Sequence, residues 1–467
     1  MLIEKTIACI EALLKGMVFD CRSCGQCVLR QTGLICPMTC PKGLRNGPCG
    51  GTLDGHCEVF PDKPCVWVRI HQRVAGRTSL EPLPLLPSPD ARLYNTSSYI
   101  NLLNGSDRPT RQPLSYLNLG QNRTRQPLQT ASQLERTLKL GRFVRTCEVR
   151  PPRRAALDSL LKQIQHIQGH FDAVNATAYL NARPSLPSPV TSAKLAELGL
   201  EAICQSTCRD HTKTSFIAEL LQNQLNQVHN VLCLTGDSYK GQPRIKQVFD
   251  MDGALMLYEA RHLRETGIVH FTGEKIPDAP RPWLGAAINP FTTPPEIPLR
   301  RLKQKALAGA DFIQTQLVFD VPAFERFMAG VRQEGLDRDL FVIPGVPVVT
   351  SRTALDMLPK VPGVHLPPEI AARLAGAGPA LEAQGVALAR ETAQRLSQIP
   401  GVAGVHLMLF GPSHEVLPEV IEALPRQRLD WPVNAAAESE SNPPALPVRQ
   451  SPRKQGEGSL EAQACGL

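Results

Sequence analysis

From about residue 138 to 426 the chain repeats one pattern: a short, nearly unbroken apolar run, then a stretch with apolar residues three and four apart. The runs are VRTCEVRPP (144–152), FDAVNATA (171–178), EAICQSTCR (201–209) and NVLCLTGD (230–237), then WLGAAIN (283–289), FIQTQLV (312–318), LFVIPGV (340–346) and VAGVHLMLFG (402–411). Segments such as LDSLLKQIQHI and LRRLKQKALAGA between them have helical spacing. Strands apolar on both faces and separated by helices predict a parallel sheet covered by helices. Eight of them in roughly 290 residues suit a closed (β/α)8 TIM barrel of the α/β class better than an open doubly wound sheet. No G-x-G-x-x-G follows an early run to support the open sheet.

In such a barrel the chemistry sits at the carboxyl ends of the strands. Several of the runs end in polar residues: Glu148 before Pro151 and Pro152, then Asn175 and Thr177, then Thr207, Arg209 and Asp210. Further on come Thr235-Gly236-Asp237, Asn289, and Gln314-Thr315-Gln316. A carboxyl group above an apolar floor has its pKa raised and can serve as a general acid. Glu148 and Asp237, on the first and fourth runs, are therefore candidates for separate acid and electrostatic roles. Taken singly, each polar end is also what a loop backbone satisfies without any chemistry.

The rest of the chain divides by composition. Residues 1–80 are cysteine-rich and glycine-punctuated, with one short amphipathic helix expected around 2–16. Residues 81–137 are rich in Pro, Ser, Asn and Arg without a sustained period and read as a linker lying over or between domains. The barrel is expected over 138–426. The segment 427–467 is mostly Ala, Ser, Pro and Glu, has almost nothing to bury and is expected to be disordered.

Net charge is +8, and the first 80 residues contribute half of it, with 10 Lys and Arg against 6 Asp and Glu. Aromatic residues make up only 5%, against the interleaved aromatics that nucleic-acid binding would use. No apolar run approaches the roughly 20 residues needed to cross a bilayer. The opening MLIEKTIACIEALLKG carries acids and lacks the pattern of a secretion signal, so the expected compartment is the cytoplasm.

Of 14 cysteines, 9 precede position 66. In a chain expected in a reducing compartment, such crowding points to metal or redox chemistry before disulfides. The order is Cys21-x2-Cys24-x2-Cys27-x8-Cys36-Pro-x2-Cys40-Pro-x7-Cys49-x7-Cys57-x7-Cys65. C-x2-C-x2-C before a Cys-Pro is similar to the opening of a bacterial ferredoxin cluster site, where the Cys-Pro follows after three residues. Closely spaced thiolates also bind zinc tetrahedrally. Three cysteines at two-residue gaps favour a [4Fe–4S] cluster over zinc.

Six motifs, CEVRPP, DAVNATA, STCRD, LCLTGD, KALAGADFIQTQLVFD and IPGVPVV, in this order, resemble the methylenetetrahydrofolate reductase barrel over roughly 144–411. The resemblance implies a flavin (FAD, with FMN the alternative) at the open end of the barrel and a reduced folate on its exposed face. It further implies hydride transfer from the reduced flavin to the one-carbon unit of 5,10-methylenetetrahydrofolate, or the reverse. Glu148 matches the family's general acid and Asp237 the aspartate beside flavin and pterin. Gln316 matches the glutamine that hydrogen-bonds the folate, and Thr177 a flavin-contacting threonine. Thr207 falls among the flavin contacts, Lys305 matches a lysine that meets the flavin phosphates, and Arg209 a second phosphate or ribose contact. Gln205 stands where NADH-using members carry a histidine, Arg352 where an aromatic residue packs on the ring, and the loop after the second run lacks their tyrosine. These departures count against direct NAD(P)H binding.

The run CPMTCPKGLRNGPCGGTLDGHCEVFPDKPCVWV resembles the cysteine-rich partner module of methylenetetrahydrofolate reductases in anaerobic one-carbon metabolism, here fused ahead of the barrel. With a cluster, that head would pass single electrons to the flavin; with zinc, it would be a structural or docking module. The electron donor is then either NAD(P)H or a redox protein, and a homo-oligomer is compatible with either. A folate-dependent methyltransferase and a non-catalytic electron-transfer or scaffold protein are the alternative readings.

Overall fold

The computed structural model describes residues 2–75, 80–179, 183–239, 242 and 244–428. The segment expected to be disordered, 427–467, lies outside them from 429 onward.

Eight parallel strands close on themselves in sequence order: β1 (Val144–Val149), β2 (Ala173–Ala176), β3 (Ala202–Thr207), β4 (Asn230–Leu234), β5 (Trp283–Ile288), β6 (Phe312–Leu317), β7 (Phe341–Val349) and β8 (Gly404–Phe410). Closure comes from β1 against β8, with Thr146 opposite His406. β1 also places Glu148 opposite Asn175 of β2. All eight expected runs are strands, most trimmed at the ends because the loop residues leave the ladder. β7 instead runs further, through Pro347-Val348-Val349, and every one of its residues is buried.

Two apolar layers account for these segments. The outer layer joins strand side chains such as Val174, Val231 and Ile313 to helix residues such as Leu160, Phe216, Leu302 and Phe324. The inner layer gathers Val144, Ala173, Ile203, Leu232, Trp283, Phe312 and Phe341, all at or near the starts of their strands. Leu134 and Leu138 of the helix Gln133–Lys139 pack into that same layer and close the lower end. That helix is capped by Ser132, whose hydroxyl accepts from the Glu135 amide at 2.9 Å. Gly285 of β5 makes room within the barrel, since a Cβ there would stand 2.3 Å from the Phe312 ring. With the lower end plugged by side chains, a ligand has to enter at the carboxyl ends of the strands.

The cysteine-rich segment and the barrel belong to one compact unit. The NGPCGG run forms the seam between them. Asn46 donates to Asp252, the cap of the helix Gly253–Thr266, at 2.7 Å, and pairs both ways with the backbone of Leu86. Gly47 lies against the buried Trp67 ring, 2.2 Å from where a Cβ would be. The Gly50 carbonyl accepts from Asn289 at the end of β5. Residues 81–137 lie along the barrel: Leu85 joins the outer core, and Arg123 makes a buried ion pair with Asp311 at 2.6 Å. The expected first helix extends over Leu2–Phe19.

Candidate active site at the carboxyl ends of the strands

Glu148 is the next-to-last residue of β1, and its side chain is nearly enclosed. Burial pushes its carboxyl up to about 7, with Arg150 acting in the opposite direction. The group is thus poised to exist in both protonation states near neutrality. Below it lies a polar layer within the barrel. His406 Nε2 of β8 stands 4.0 Å from Glu148 Oε2, while His406 Nδ1 meets Thr146 Oγ1 at 2.9 Å and Gln314 Nε2 at 3.4 Å. Gln314 in turn accepts from Asn175 Nδ2 at 2.7 Å. An amide nitrogen only donates, so Nδ1 of His406 is the acceptor and Nε2 carries the hydrogen, directed toward Glu148. Burial drives the His406 pKa down to about 3, which keeps the ring neutral. No formal positive charge from His406 therefore holds Glu148 ionised.

Thr177 follows β2 and is buried, and its hydroxyl has no hydrogen-bond partner among the described residues. A buried hydroxyl at a strand end without a partner is a place for a ligand polar group. Gln316, on β6, is half-buried; its side-chain nitrogen donates to the Pro362 carbonyl at 2.9 Å and its oxygen accepts from the Leu317 amide. Asp237 is exposed in the loop after β4. The turn before it depends on Gly236, with φ at 85° and a Cβ position 2.9 Å from Arg209 Cβ.

Arg209 and Thr207 are engaged with the protein itself. Arg209 pairs with Asp210 at 2.6 Å, donates to the carbonyls of Asp237 and Tyr179, and lies 4.1 Å over the Tyr239 ring. Thr207 donates to Asp210 at 2.5 Å. Together these contacts shape the loop that presents Asp237. Lys305 is enclosed between its helix and β5, where it donates to the Ala287 carbonyl, and burial lowers its pKa to about 7. Gln205 accepts from the Ala178 amide at 3.3 Å, and Arg352 is exposed beside Asp356.

A residue the sequence did not point to enters from the head. Lys42 is buried, donates to the Gly236 carbonyl at 2.7 Å, pairs with the buried Glu58 and lies 5.4 Å over the Phe249 ring. Its positive charge also acts on Asp237. His406, in the midst of β8, was likewise missed; a histidine in the otherwise apolar run VAGVHLMLFG is the signal that could have found it.

A family profile described as "Methylenetetrahydrofolate reductase" matches residues 133–424, the whole barrel with its plug helix. The chain belongs to the methylenetetrahydrofolate reductase family. A second profile, "Methylene-tetrahydrofolate reductase C terminal", matches residues 2–90, which include all eight cysteines from Cys21 to Cys65. Among relatives of this reductase family, a "Probable methylenetetrahydrofolate reductase (NADH)" of Oryza sativa subsp. japonica is 27% identical over 290 residues, 57% of this chain and 46% of that one. A "Probable methylenetetrahydrofolate reductase (NADPH)" of Caenorhabditis elegans is 24% identical over 250 residues, 51% of this chain and 35% of that one. The chain thus spans less than half the length of these relatives. Among solved structures, an uncharacterized protein from Clostridium thermocellum, described as binding two copies of 5-methyl-5,6,7,8-tetrahydrofolic acid, superposes with a TM-score of 0.47 at 15% identity. It covers 62% of this chain and 100% of its own.

Among the described residues, no three His, Cys, Asp or Glu side chains are gathered as a metal site. No described helix is long and apolar enough to cross a membrane.

Proposed function

We propose that this member of the family reduces 5,10-methylenetetrahydrofolate to 5-methyltetrahydrofolate, or runs the reverse oxidation, with a flavin in the barrel mouth. The observation that carries the reading is Glu148: a carboxyl at the end of β1, held half-protonated near neutrality by burial above a neutral histidine. Opening the methylene ring of the folate requires a proton on a bridge nitrogen, and Glu148 is the acid that delivers it. The carboxylate of Asp237 stabilises the cation that develops as the ring opens. Gln316 turns an amide toward the folate in place of its bond to Pro362, and Thr177 offers its unpartnered hydroxyl to the flavin. When bound, the flavin supplies or accepts the hydride.

FAD is the proposed flavin, and Thr207, Arg209 and Lys305 belong to the walls and loops around it. The head is proposed to hold a thiolate-bound metal centre, [4Fe–4S] or zinc, through Cys21, Cys24, Cys27, Cys36, Cys40, Cys49, Cys57 and Cys65. The departures at Gln205 and Arg352 favour a redox protein over NAD(P)H as the electron donor. The cytoplasm is the proposed compartment.

The test is spectroscopic. Purified protein is expected to be yellow, and 5-methyltetrahydrofolate is expected to bleach the flavin band under anaerobic conditions. Soluble, folded protein that carries no flavin and takes none up would overturn the proposal, and would be the result expected of a folate-dependent methyltransferase.

A further inference from the structure

Asp237 is exposed in the β4 loop, yet the backbone on both sides of it is held by buried cations. Lys42 of the head donates to the Gly236 carbonyl at 2.7 Å, which anchors the peptide plane before the Asp237 Cα. Arg209, two residues past β3, donates to the Asp237 carbonyl at 3.1 Å, which anchors the plane after it. A residue has only two soft backbone dihedrals, one on each side of its Cα, so holding both flanking peptides sets the direction of its side chain. Glycine has the widest backbone freedom of any residue, so at Gly236, with φ at 85°, these outside anchors decide the path of the loop.

The surroundings of Lys42 suit that task. An ammonium carries three hydrogens, and it meets the Gly236 carbonyl, the Glu58 carboxylate and the face of the Phe249 ring at 5.4 Å. Phe249 is itself pinned beside Arg209, because its amide donates to the Cys208 carbonyl at 3.0 Å. Gly51 leaves the space that the Glu58 carboxylate fills. Each cation has its own carboxylate, Glu58 for Lys42 and Asp210 for Arg209. The two therefore hold the backbone as nearly neutral pairs and leave the negative charge of Asp237 to act on the barrel mouth. Lys42 shares the seam with two further contacts, Asn46 to Asp252 at 2.7 Å and Asn289 to the Gly50 carbonyl at 3.0 Å. With the charges of Lys42 and Glu58 removed together, these keep the head seated while the β4 loop is released.

We propose that Lys42, from the head, is a positioning residue for the reaction in the barrel, holding the β4 loop so that the Asp237 carboxylate faces the bound folate. This rests on the role given to Asp237 above. The head then builds part of the reacting end of the barrel, whatever it does in electron supply. The carboxylate is needed where positive charge develops, so a displaced loop costs rate at saturation more than it costs folate affinity.

The experiment compares full-length wild type with Lys42→Met/Glu58→Met, Lys42→Arg, Asp237→Asn, and the triple variant that joins the Met pair to Asp237→Asn. Single-turnover oxidation of the dithionite-reduced flavin by 5,10-methylenetetrahydrofolate is followed, so that no natural electron donor enters. The Met pair is expected to lower the rate constant at saturating folate by about 10- to 100-fold, with the half-saturating concentration nearly unchanged. Lys42→Arg, which still donates to a carbonyl, is expected to keep most of the rate. In the Asp237→Asn background the Met pair is expected to cost nothing further, because residues that act through one another are not additive. Full additivity, or a wild-type rate in the Met pair, would overturn the proposal; so would a full rate in Asp237→Asn, which removes the Asp237 assignment as well. Hydrogen exchange read by mass spectrometry gives a second measure that needs neither flavin nor folate. Amides of residues 236–238 are expected to exchange faster in the Met pair while those of the barrel strands do not, and unchanged exchange there sinks the positioning role. Should the Met pair be insoluble, Lys42→Gln/Glu58→Gln takes its place with the same expectations. A wild type without the flavin reaction, but with a loop released in the variant, removes only the reductase reading. A working reductase in which the Met pair is silent removes only the role of Lys42.

Discussion

Lys42, from the cysteine-rich head, donates a hydrogen bond of 2.7 Å to the carbonyl of Gly236, the residue before Asp237 in the barrel's β4 loop. The head thus reaches the β4 loop directly, and the contact is paired with a buried ion pair to Glu58. Removing one partner of such a pair leaves a buried charge uncompensated, at a cost of about 3–5 kcal/mol. Lys42→Met is expected to lower the melting temperature markedly, and Lys42→Met with Glu58→Met to restore much of the loss. Equal melting temperatures for wild type and the single variant would show that the pair does not hold the seam. Calorimetry or circular dichroism measures this.

Glu148→Gln is expected to reduce folate turnover by about 10²- to 10⁴-fold, the usual contribution of a general acid. For the wild type, reduction needs the protonated carboxyl, so its rate is expected to fall as pH rises through about 7. A pH–rate profile of the half-reaction checks this, and a limb that persists in Glu148→Gln would assign it to another group.

The same carboxyl has a stability consequence in the same pH range. Its folded pKa is raised from 4.5 to about 7, so the native state binds the proton more tightly than the unfolded chain. The stability this provides is complete below the unfolded pKa and is lost as pH rises to about 7. The loss is on the order of 3 kcal/mol at pH 8. Glu148→Gln, always neutral, is therefore expected to be inactive yet more stable than wild type at pH 8, with the gap closing toward pH 4. Denaturant melts at both pH values read it directly.

Thr177→Val replaces a buried hydroxyl that has no partner among the described residues. Relieving an unsatisfied polar group stabilises by roughly 1–3 kcal/mol, so the flavin-free variant is expected to melt no lower than wild type. Flavin retention on dilution is expected to fall. Unchanged retention would remove Thr177 from the flavin site.

Gly47→Ala places a methyl group 2.2 Å from the Trp67 ring, in the NGPCGG seam. Overpacking of that kind costs about 1–3 kcal/mol or more. Limited proteolysis is expected to cut the variant between head and barrel sooner than the wild type, while the barrel fragment stays intact.

Much of the barrel was legible because each strand is buried on both faces and each helix on one, so a run such as WLGAAIN or a period such as that of LRRLKQKALAGA admits few other uses. The strand-end rule then placed Glu148, Thr177 and Gln316 without coordinates. The polar layer under Glu148 was not legible. Thr146, Asn175, Gln314 and His406 come from β1, β2, β6 and β8, and only closure of the barrel makes neighbours of the first strand and the last.

The cysteine-rich head shows the same division. Local spacing alone marked the segment as a thiol-rich unit apart from the barrel, while the side chains of Cys21, Cys24 and Cys27 are not gathered as a metal site. That Lys42 and Asn46 lock the head onto the β4 loop and Asp252 depended on contacts between residues up to 206 positions apart. Periodicity and spacing record what a segment does with its own neighbours, and so the sequence by itself determined the barrel and which polar residues stand at its strand ends. Burial of charges at the seam and beneath Glu148 arises only when distant segments exclude water together, and that was decided by the tertiary structure.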